Sequence, residues 1–415
     1  MIKLISIITA ILVAFGATAC VNGKNIPGEI KSSNNSDEKP VLYSDVLQAD
    51  TEFSDVYNSL TAKLLSHTVD GTKNNLISPM SILLALSMTE NGALGDTLAE
   101  FEAFAGMDIG TLNKYLSGYL ASIPEKSDGF ELESANSIWL RNGLDVKDAF
   151  LRANETYYGS QVYESGFNDE TVGLINAWVS KHTHKMIDRI IDSLSPESRM
   201  VLINAIAFES EWAKIYEDSD VDDHIFNNFD GSESQIKLMR SNENMYIETD
   251  DSIGFVKNYK GGRFAFAALM PNEDVDFAEF VSTLDPETVS ALVGTPEYID
   301  VRAGLPEFKH ECSYSLNKPL KKLGLENAFE NTADFSGISE TEPLKIGEVL
   351  HKTFIEVDKK GTKAAAVTAI IMECTSAMPV EREYKEVILD RPFVYAIIDR
   401  DANIPLFIGT VTNFN

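Results

Sequence analysis

The side chains that enzymes use for catalysis do not form a known catalytic motif in this sequence. It contains no Gly-x-Ser-x-Gly turn to present a serine nucleophile, no His-Glu-x-x-His pair for zinc, and no glycine-rich loop for a phosphate or a dinucleotide. His182 and His184 are two positions apart on a predicted helix and point in different directions, and a solvated surface explains His184 and Asp188 better than a metal site. The acidic run 217–223 lacks the ligand spacing of a calcium loop, so we interpret it as a solvated turn. The sequence therefore predicts a protein that is not an enzyme and needs no metal or cofactor.

The most unusual segment spans residues 359–376. If it forms a strand, alternate side chains share one face. One set is uncharged and begins with four small residues: Thr362, Ala364, Ala366, Thr368, Ile370 and Met372. The other set takes both charged residues: Lys363, Ala365, Val367, Ala369, Ile371 and Glu373. One face can therefore enter the centre of a sheet without burying a charge, and Gly361 supplies a hinge before it. Taken alone, the segment is better explained by a permanent strand or an alanine-rich helix.

The elements that must position this segment are helices first and strands later. Apolar residues at helical spacing predict helices over 45–67, 112–122 and 147–158, and Ser78-Pro79 is typical of a helix start. Short apolar runs predict strands at Ile138, 201–208, 264–269, 299–301, 394–398 and 406–411. The mixture has no regular βαβ alternation, which indicates an α+β fold.

Composition describes an acidic, well-packed chain. Of its 415 residues 44% are hydrophobic and 24% are charged, which is ordinary for a globular protein. Sixty-four Asp and Glu against 35 Lys and Arg give a net charge of -29, which argues against nucleic acid or an anionic lipid surface as the main partner. Three cysteines cannot make a disulfide framework or a cysteine-rich zinc site. Length alone suggests two or three domains, but the absence of a repeat or long linker after residue 41 favours one.

The N-terminus has the pattern of an export signal. Residues 1–19 have a short positive start, an apolar stretch and small residues, so we interpret them as a signal peptide. Cys20 then resembles the lipidated cysteine of a bacterial lipobox, although Ala17 stands where leucine is more usual. An ordinary signal with an incidental cysteine is the alternative. Polar residues 20–40 predict a flexible tether before a folded domain over 41–415. The expected location is a membrane-anchored lipoprotein, periplasmic or at the cell surface, or else extracellular; the membrane contact is through the lipid alone.

A series of short motifs runs in order along the folded domain. They are NNLISPMS (74–81), NAWVSKHTHKMI (176–187), NAIAFESEW (204–212), LPEF (305–308), LGL (323–325), ADFSGI (333–338), VLHK (349–352), RPF (391–393) and FIG (407–409). FIEVD (354–358) leads into the Gly361 hinge. Each motif is weak alone, but in this order and at this spacing they are specific, and residues 45–415 resemble the serpin family. Met186 departs from the family pattern, where lysine is usual.

The resemblance implies both a fold and an activity. The fold would be an α+β serpin fold, with several helices packed around three β-sheets and an exposed reactive-centre loop. The loop offers a bait bond to a serine protease, which forms a covalent acyl-enzyme before the cut loop inserts as a new strand in the main sheet. The protein would be a monomer at risk of loop-sheet polymerisation, since 367–372 is apolar and strand-prone.

Site residues follow from the same resemblance. The family pattern places the bait bond between Thr375 and Ser376, with Cys374–Thr375 and Met372–Glu373 as competing bonds. A small threonine suits the shallow pocket of an elastase-like or subtilisin-like protease. The hinge residues are Gly361, Thr362, Ala364, Ala365 and Ala366, of which the side chain of Thr362 enters the sheet first.

Two further groups match family positions. The shutter, a polar cluster beneath the centre of the sheet, consists of Ser78, Ser81, Asn204 and His351. The breach, where insertion begins, contains Trp212. Ordinary caps and core polar residues are the alternative for the shutter, and Ser78 before Pro79 would make a helix N-cap. Lys359 stands where family inhibitors usually carry glutamate, which bears on the rate of insertion.

Two other functions stay open. A non-inhibitory serpin acting as a binding or carrier protein would be favoured by bulky or charged inward hinge residues, which the sequence lacks. An inhibitor that also traps papain-like cysteine proteases would show the same hinge. The sequence does not name the physiological target or assign a redox role to Cys374.

Overall fold

The structure is a computed structural model that describes residues 29–30, 51–123, 126–127, 130–195, 197–362 and 384–414. Several predicted features lie outside these residues: the signal peptide, Cys20, the hinge residues Ala364, Ala365 and Ala366, and the bond between Thr375 and Ser376. In the described ranges, no helix combines the length and the apolar character that crossing a bilayer requires.

Nine α-helices occur in the described part of the chain. They are α1 (Thr51–Thr68), α2 (Pro79–Glu90), α3 (Gly95–Ala105), α4 (Ile109–Ser122), α5 (Asp148–Tyr158), α6 (Asp169–His182), α7 (Phe277–Ser282), α8 (Pro286–Val293) and α9 (Asn317–Lys322). Local chemistry explains where they begin. The side chain of Ser78 accepts a hydrogen bond from the Ser81 N–H and caps α2, and Pro79 occupies its first turn. Asn168 and Thr171 form a reciprocal capping box at α6.

The strands form three sheets. They are β1 (Glu29–Ile30), β2 (Asn75–Ile77), β3 (Lys126–Ser127), β4 (Phe130–Arg141), β5 (Gln161–Ser165), β6 (Met200–Glu211), β7 (Val221–Asn227), β8 (Glu233–Glu243), β9 (Tyr246–Glu248), β10 (Ser252–Asn258), β11 (Phe264–Pro271), β12 (Asp300–Pro306), β13 (Phe308–Ser315), β14 (Leu350–Val357), β15 (Gly361–Thr362), β16 (Tyr384–Ile388), β17 (Phe393–Asp399) and β18 (Ile404–Val411). With helices packed on these sheets, the predicted α+β class is confirmed.

The main sheet has the strand order β1-β5-β4-β6-β15-β14-β13, with β3 paired to β4. A second sheet, β2-β18-β17-β11-β10-β9, lies in the centre of the hydrophobic core, and every residue of β11, β17 and β18 is buried. These three strands read as continuous apolar runs because both of their faces are covered. The third sheet, β16-β12-β8-β7, places β16 and β7 at opposite edges.

Helix α6 covers the outer face of the main sheet. Trp178 and Ile175 of α6 pack in one apolar cluster with Trp139 of β4 and Ile203 of β6, and residues of β14 pack against the same cluster. We call this set the α6 cluster: Trp139, Tyr163, Phe167, Val172, Ile175, Trp178, Val179, Ile187, Ile190, Ile191 and Ile203, with Val201, Leu350 and Phe354 at its margin. The helix and the chain that follows it therefore bridge from β6 to β14.

The helix predicted to include His184 is shorter in the structure than the sequence indicated. Helix α6 ends at His182, and His184 lies beyond it with a left-handed φ of 48°. The Thr183 hydroxyl donates to the Val179 carbonyl and accepts from the Ile187 N–H, which turns the chain out of the helix. His184 therefore shares no helix face with Asp188, and its Nε2 lies 3.4 Å from a carboxylate oxygen of Glu131.

The prediction of a solvated turn over the acidic run 217–223 is correct for only part of the run. A short 3-10 turn covers Asp218–Asp220, and the last residues of the run begin strand β7. Asp222 pairs with Arg240 and Asp223 with Lys237, both of the neighbouring strand β8.

Candidate functional site

The candidate site is a slot in the main sheet between β6 and β14. Among the described residues, β15 pairs with two of the 12 residues of β6, Ser210 and Glu211. On the facing side, only Val357 of the eight residues of β14 pairs with β15. In the described part of the chain, no ladder joins β6 to β14 directly. In the described ranges, the slot therefore holds the two residues of β15, which pair antiparallel to both neighbours.

Gly361 and Thr362 already occupy the top of the slot. Gly361 is opposite Glu211, and Thr362 is opposite Ser210 on one side and Val357 on the other. The strands approach so closely that a Cβ on Gly361 would lie 2.0 Å from the Ser210 carbonyl oxygen. Thr362 is buried, and its hydroxyl lies 2.5 Å from the hydroxyl of Tyr259. Burial raises the pKa of Tyr259, which keeps its phenol protonated for this bond.

Trp212 holds the turn that precedes these two residues. Its indole N–H donates to the Asp358 carbonyl at 2.9 Å, and its backbone N–H donates to the Lys360 carbonyl at 2.9 Å. The indole stacks on the Tyr259 ring, with centroids 4.5 Å apart and planes 6° from parallel. One buried aromatic pair therefore contacts both the turn and the Thr362 hydroxyl.

Lys359 pairs with a residue of the acidic run. Its ammonium contacts the Asp218 carboxylate, and its carbonyl accepts a hydrogen bond from the Tyr216 N–H at 2.9 Å. The hydrogen bond and the charge of Lys359 lower the pKa of Asp218, and those of Asp218 raise the pKa of Lys359. The unusual lysine before the hinge thus has a partner of opposite charge.

A buried ion pair lies beside the aromatic residues near the turn. The ammonium of Lys257 lies 2.7 Å from a carboxylate oxygen of Glu243 and 4.4 Å from the centroid of the Tyr216 ring. Burial lowers the pKa of Lys257, and the Glu243 carboxylate opposes that change. The paired carboxylate and the aromatic face together compensate for burying this charge.

A polar cluster lies under the middle of the slot. The Ser78 N–H donates to Nε2 of His351 at 3.0 Å, and the Ser78 hydroxyl donates to the Leu406 carbonyl at 2.8 Å. On the next inward position of β14, the Thr353 hydroxyl donates to the Leu76 carbonyl. Burial lowers the pKa of His351 to about 3, so the ring is neutral and its Nε2 is free to accept. The cluster links β14 to the start of α2 and to the second sheet.

A cavity of about 800 Å³ opens at the far end of the slot. It is lined by the first residues of β6, by Leu350 at the start of β14, and by the segment after α6 that includes Arg199. Arg199 pairs with Glu342 across 2.9 Å at its wall. The slot therefore runs from Thr362 at one end of the sheet to this cavity at the other.

Comparison with known proteins identifies the family. The family model described as Serpin (serine protease inhibitor) matches residues 55–414. The chain belongs to the serpin family. An uncharacterised serpin-like protein of Thermococcus kodakarensis is 31% identical over 399 residues, which cover 94% of this chain and 92% of that protein.

Two solved serpin structures are similar to this one. The thermophilic serpin tengpin in its native state is 38% identical, with a TM-score of 0.82 over 93% of this chain and 100% of that chain. A loop C-sheet serpin polymer is 37% identical, with a TM-score of 0.75 over 88% of this chain and 96% of that chain.

The predicted site residues of this serpin fall into two places. Gly361, Thr362 and Trp212 meet at the top of the slot. Ser78, Ser81 and His351 meet beneath its middle, and the backbone of Asn204 pairs with Asn136 on the far side of β6. Of the three cysteines, Cys312 is buried and reduced, and the other two lie outside the described residues.

Sequence reasoning missed the residues that contact the hinge from other elements. Tyr259 lies within hydrogen-bond distance of Thr362, and Asp218 pairs with Lys359 of the turn. Tyr259 is 103 positions from Thr362 and Asp218 is 141 positions from Lys359, so no local pattern pairs them. The short acidic run was the one visible signal for Asp218.

Proposed function

We propose that this serpin inhibits serine proteases of elastase-like or subtilisin-like specificity as a suicide substrate. The catalytic serine of the protease attacks the Thr375 carbonyl, the bond to the Ser376 nitrogen breaks, and the new amine leaves with its proton from the protease histidine. The chain end at Thr375 stays bound to the protease as an ester. The serpin supplies the bait and the conformational change, and the protease supplies the catalytic residues.

The observation that supports this proposal is the register of Gly361 and Thr362 in the slot. Each further residue of an antiparallel strand pairs one position further back on its neighbour. Because Thr362 pairs with Ser210, a continuing strand would place Met372 opposite Met200, the first residue of β6. The slot on the β6 side therefore has room for 361–372 and ends where the cavity begins.

The two alternating sets of the loop suit the two faces of this slot. Thr362 points inward to Tyr259, so the uncharged set that follows it would face the core. On the outer face, the same register would place Ala369 beside Ile203 and Ile371 beside Val201, under the α6 cluster. The charged members, Lys363 and Glu373, fall at the two ends. Both faces can therefore be covered without burying a charge.

Insertion would carry the ester to the other end of the molecule. In the extended register Thr375 lies three residues past Met372, at the cavity near Arg199. A strand of about 12 residues spans roughly 40 Å, so the ester at Thr375 would end at least that far from the hinge. Such a displacement would press the protease against the serpin body and distort its active site before water hydrolyses the ester.

The test is the variant Thr362→Arg mixed with an elastase-like protease. The wild-type serpin should form a 1:1 complex that survives boiling in detergent. The variant must bring a charge to the buried hydroxyl of Tyr259, so insertion slows and most of the serpin is cleaved and released. We expect at least about a tenfold rise in the serpin consumed per protease inhibited, since about 1.4 kcal/mol changes a rate tenfold.

The matched control is Lys363→Glu, which changes a charge on the adjacent outward position. It should inhibit as the wild type does. Equal inhibition by Thr362→Arg and the wild type would contradict insertion. Cleavage of the wild type without a stable complex, across a panel of serine proteases, would contradict the inhibitor function itself and favour a carrier.

A further inference from the structure

Exposed aromatic side chains cluster at one edge of the third sheet. Among the described residues, four large hydrophobic side chains are well exposed, and two of them are Tyr298 at 70% and Tyr384 at 48%. Tyr384 opens strand β16 and is opposite Asp300 of β12. Tyr298 precedes Asp300 by two residues, so their Cα atoms are at most about 7 Å apart. The two tyrosines therefore belong to one surface.

A cation completes this surface. The guanidinium of exposed Arg302 lies 3.5 Å from the centroid of the Tyr384 ring, close enough for a cation–π contact. Together with tryptophan, tyrosine and arginine are enriched among the residues that contribute most to binding at protein interfaces. We define the β16 patch as Tyr298, Arg302 and Tyr384. The patch therefore combines two exposed aromatic rings with one guanidinium, and the ladder places Glu386 opposite Arg302 and Asp300 opposite Tyr384.

The position of the patch along the chain indicates what covers it. The proposed bait bond ends at Ser376, and eight residues later Tyr384 is fixed in β16. Eight residues span at most about 27 Å. A protease of roughly 230 residues has a radius of gyration of about 17 Å. The diameter of its body therefore exceeds the greatest length of this eight-residue segment. A protease bound at the loop is therefore held within reach of the β16 patch.

We propose that the β16 patch is a docking surface for the target protease, which it contacts beside the active site through apolar groups and a carboxylate facing Arg302. This proposal rests on the proposed inhibitor function. The patch would raise the rate of association and select among proteases that cut the same loop. It would not alter insertion, because none of its residues contacts the slot or the hinge turn.

The test measures association rates with a protease that forms the stable complex. The variants are Tyr298→Ser alone and Tyr298→Ser/Arg302→Ser/Tyr384→Ser. Ile225→Ser is the matched control, because Ile225 is 41% exposed on β7, at the opposite edge of the same sheet. We expect about a threefold loss of rate for the single variant and a tenfold or larger loss for the triple variant, with the control unchanged. The number of serpins consumed per protease inhibited should stay at the wild-type value.

Salt dependence separates the charged part of the contact. Raising the ionic strength should slow the wild type more than Arg302→Ser, because it screens attraction to a carboxylate. Tyr298→Ser keeps the proposal testable if the triple variant misfolds, since Tyr298 is mostly in solvent. Wild-type association rates in both tyrosine variants would overturn the docking surface while leaving the inhibitor function intact.

Two other outcomes would also overturn the proposal. If the variants change self-association in size-exclusion chromatography and leave the protease rate unaltered, the occupant is a second copy of this chain. If the wild type forms no stable complex with any protease, the inhibitor function and the docking surface fail together.

Discussion

At the scale of single residues, His351 connects strand β14 to the start of α2. Its Nε2 accepts the Ser78 N–H, so protonating that nitrogen would remove the acceptor and leave a charge in a buried site. Burial lowers the pKa of His351 to about 3 from an unfolded value near 6.5. Because the folded pKa is the lower one, the stabilisation is present above about pH 6.5 and is lost as the pH falls towards 3.

This sign leads to a prediction for His351→Gln, whose amide oxygen can still accept the Ser78 N–H but does not titrate. Between pH 7.5 and pH 5, the wild type should lose about 2 kcal/mol of unfolding free energy relative to the variant. Urea unfolding of both proteins at the two pH values, analysed at the first transition, measures this difference in unfolding free energy. Equal pH dependence in both proteins would contradict the assignment.

The comparison between variants is needed because other buried groups titrate in the same range. Burial lowers the pKa of His310 to about 4, which adds to the loss in acid. Burial raises the pKa of Glu90 to about 8, which acts in the opposite direction, since the folded protein holds that proton more tightly. Both contributions cancel in the difference between wild type and His351→Gln.

At the scale of elements, the turn 358–360 fixes where a loop strand can begin. Backbone hydrogen bonds from Trp212 and Tyr216 hold it, and the Lys359–Asp218 pair adds charge attraction on the exposed side. The proposed insertion from Thr362 would extend this existing ladder and would not need a new nucleus. The lysine that departs from the family pattern is accommodated by this ion pair.

We expect Lys359→Glu to weaken the turn, because it places two carboxylates side by side. The serpin consumed per protease inhibited should rise about twofold, the modest effect typical of an exposed ion pair. The double variant Lys359→Glu/Asp218→Lys, which restores the pair with reversed charges, should return to the wild-type value. A double variant no better than the single one would show that the pair does not hold the turn.

The same elements show what a single sequence can predict. The helix start at Ser78 is a local pattern and is confirmed. The alternation along 362–373 is also a local pattern, but past Thr362 it lies outside the described residues. The end of α6 at His182 was not predicted, because Thr183, His184 and Lys185 are all compatible with a longer helix. The contact of Tyr259 with Thr362 depends on how the second sheet packs beneath the main one, which periodicity does not encode.

At the scale of the whole molecule, the described residues place only the two-residue strand β15 between β6 and β14. Filling the slot with 363–372 would add hydrogen bonds on both sides, and at about 1 kcal/mol each these amount to about 10 kcal/mol or more. The intact form is therefore expected to be held by a barrier and not by being the most stable arrangement.

Cleavage within the loop by a protease that is not trapped tests this directly. The cleaved serpin should unfold at least 10 °C above the intact one in a thermal scan. Cleaved Thr362→Arg should gain much less, because its charge obstructs the first step of insertion. Equal melting temperatures for intact and cleaved wild type would show that the slot does not take up the loop.

The balance between the intact form and the form with the loop inserted depends on a single codon, that of Gly361. Every amino acid other than glycine carries a Cβ, and at this position that atom would lie 2.0 Å from the Ser210 carbonyl oxygen and 2.9 Å from the Glu211 Cα. Both obstacles are backbone atoms of a strand that is already paired along its other side, so neither can move aside cheaply. Natural variation at codon 361 therefore has no conservative step. Any missense change would force the hinge out of the sheet and leave its seat open to a neighbouring molecule.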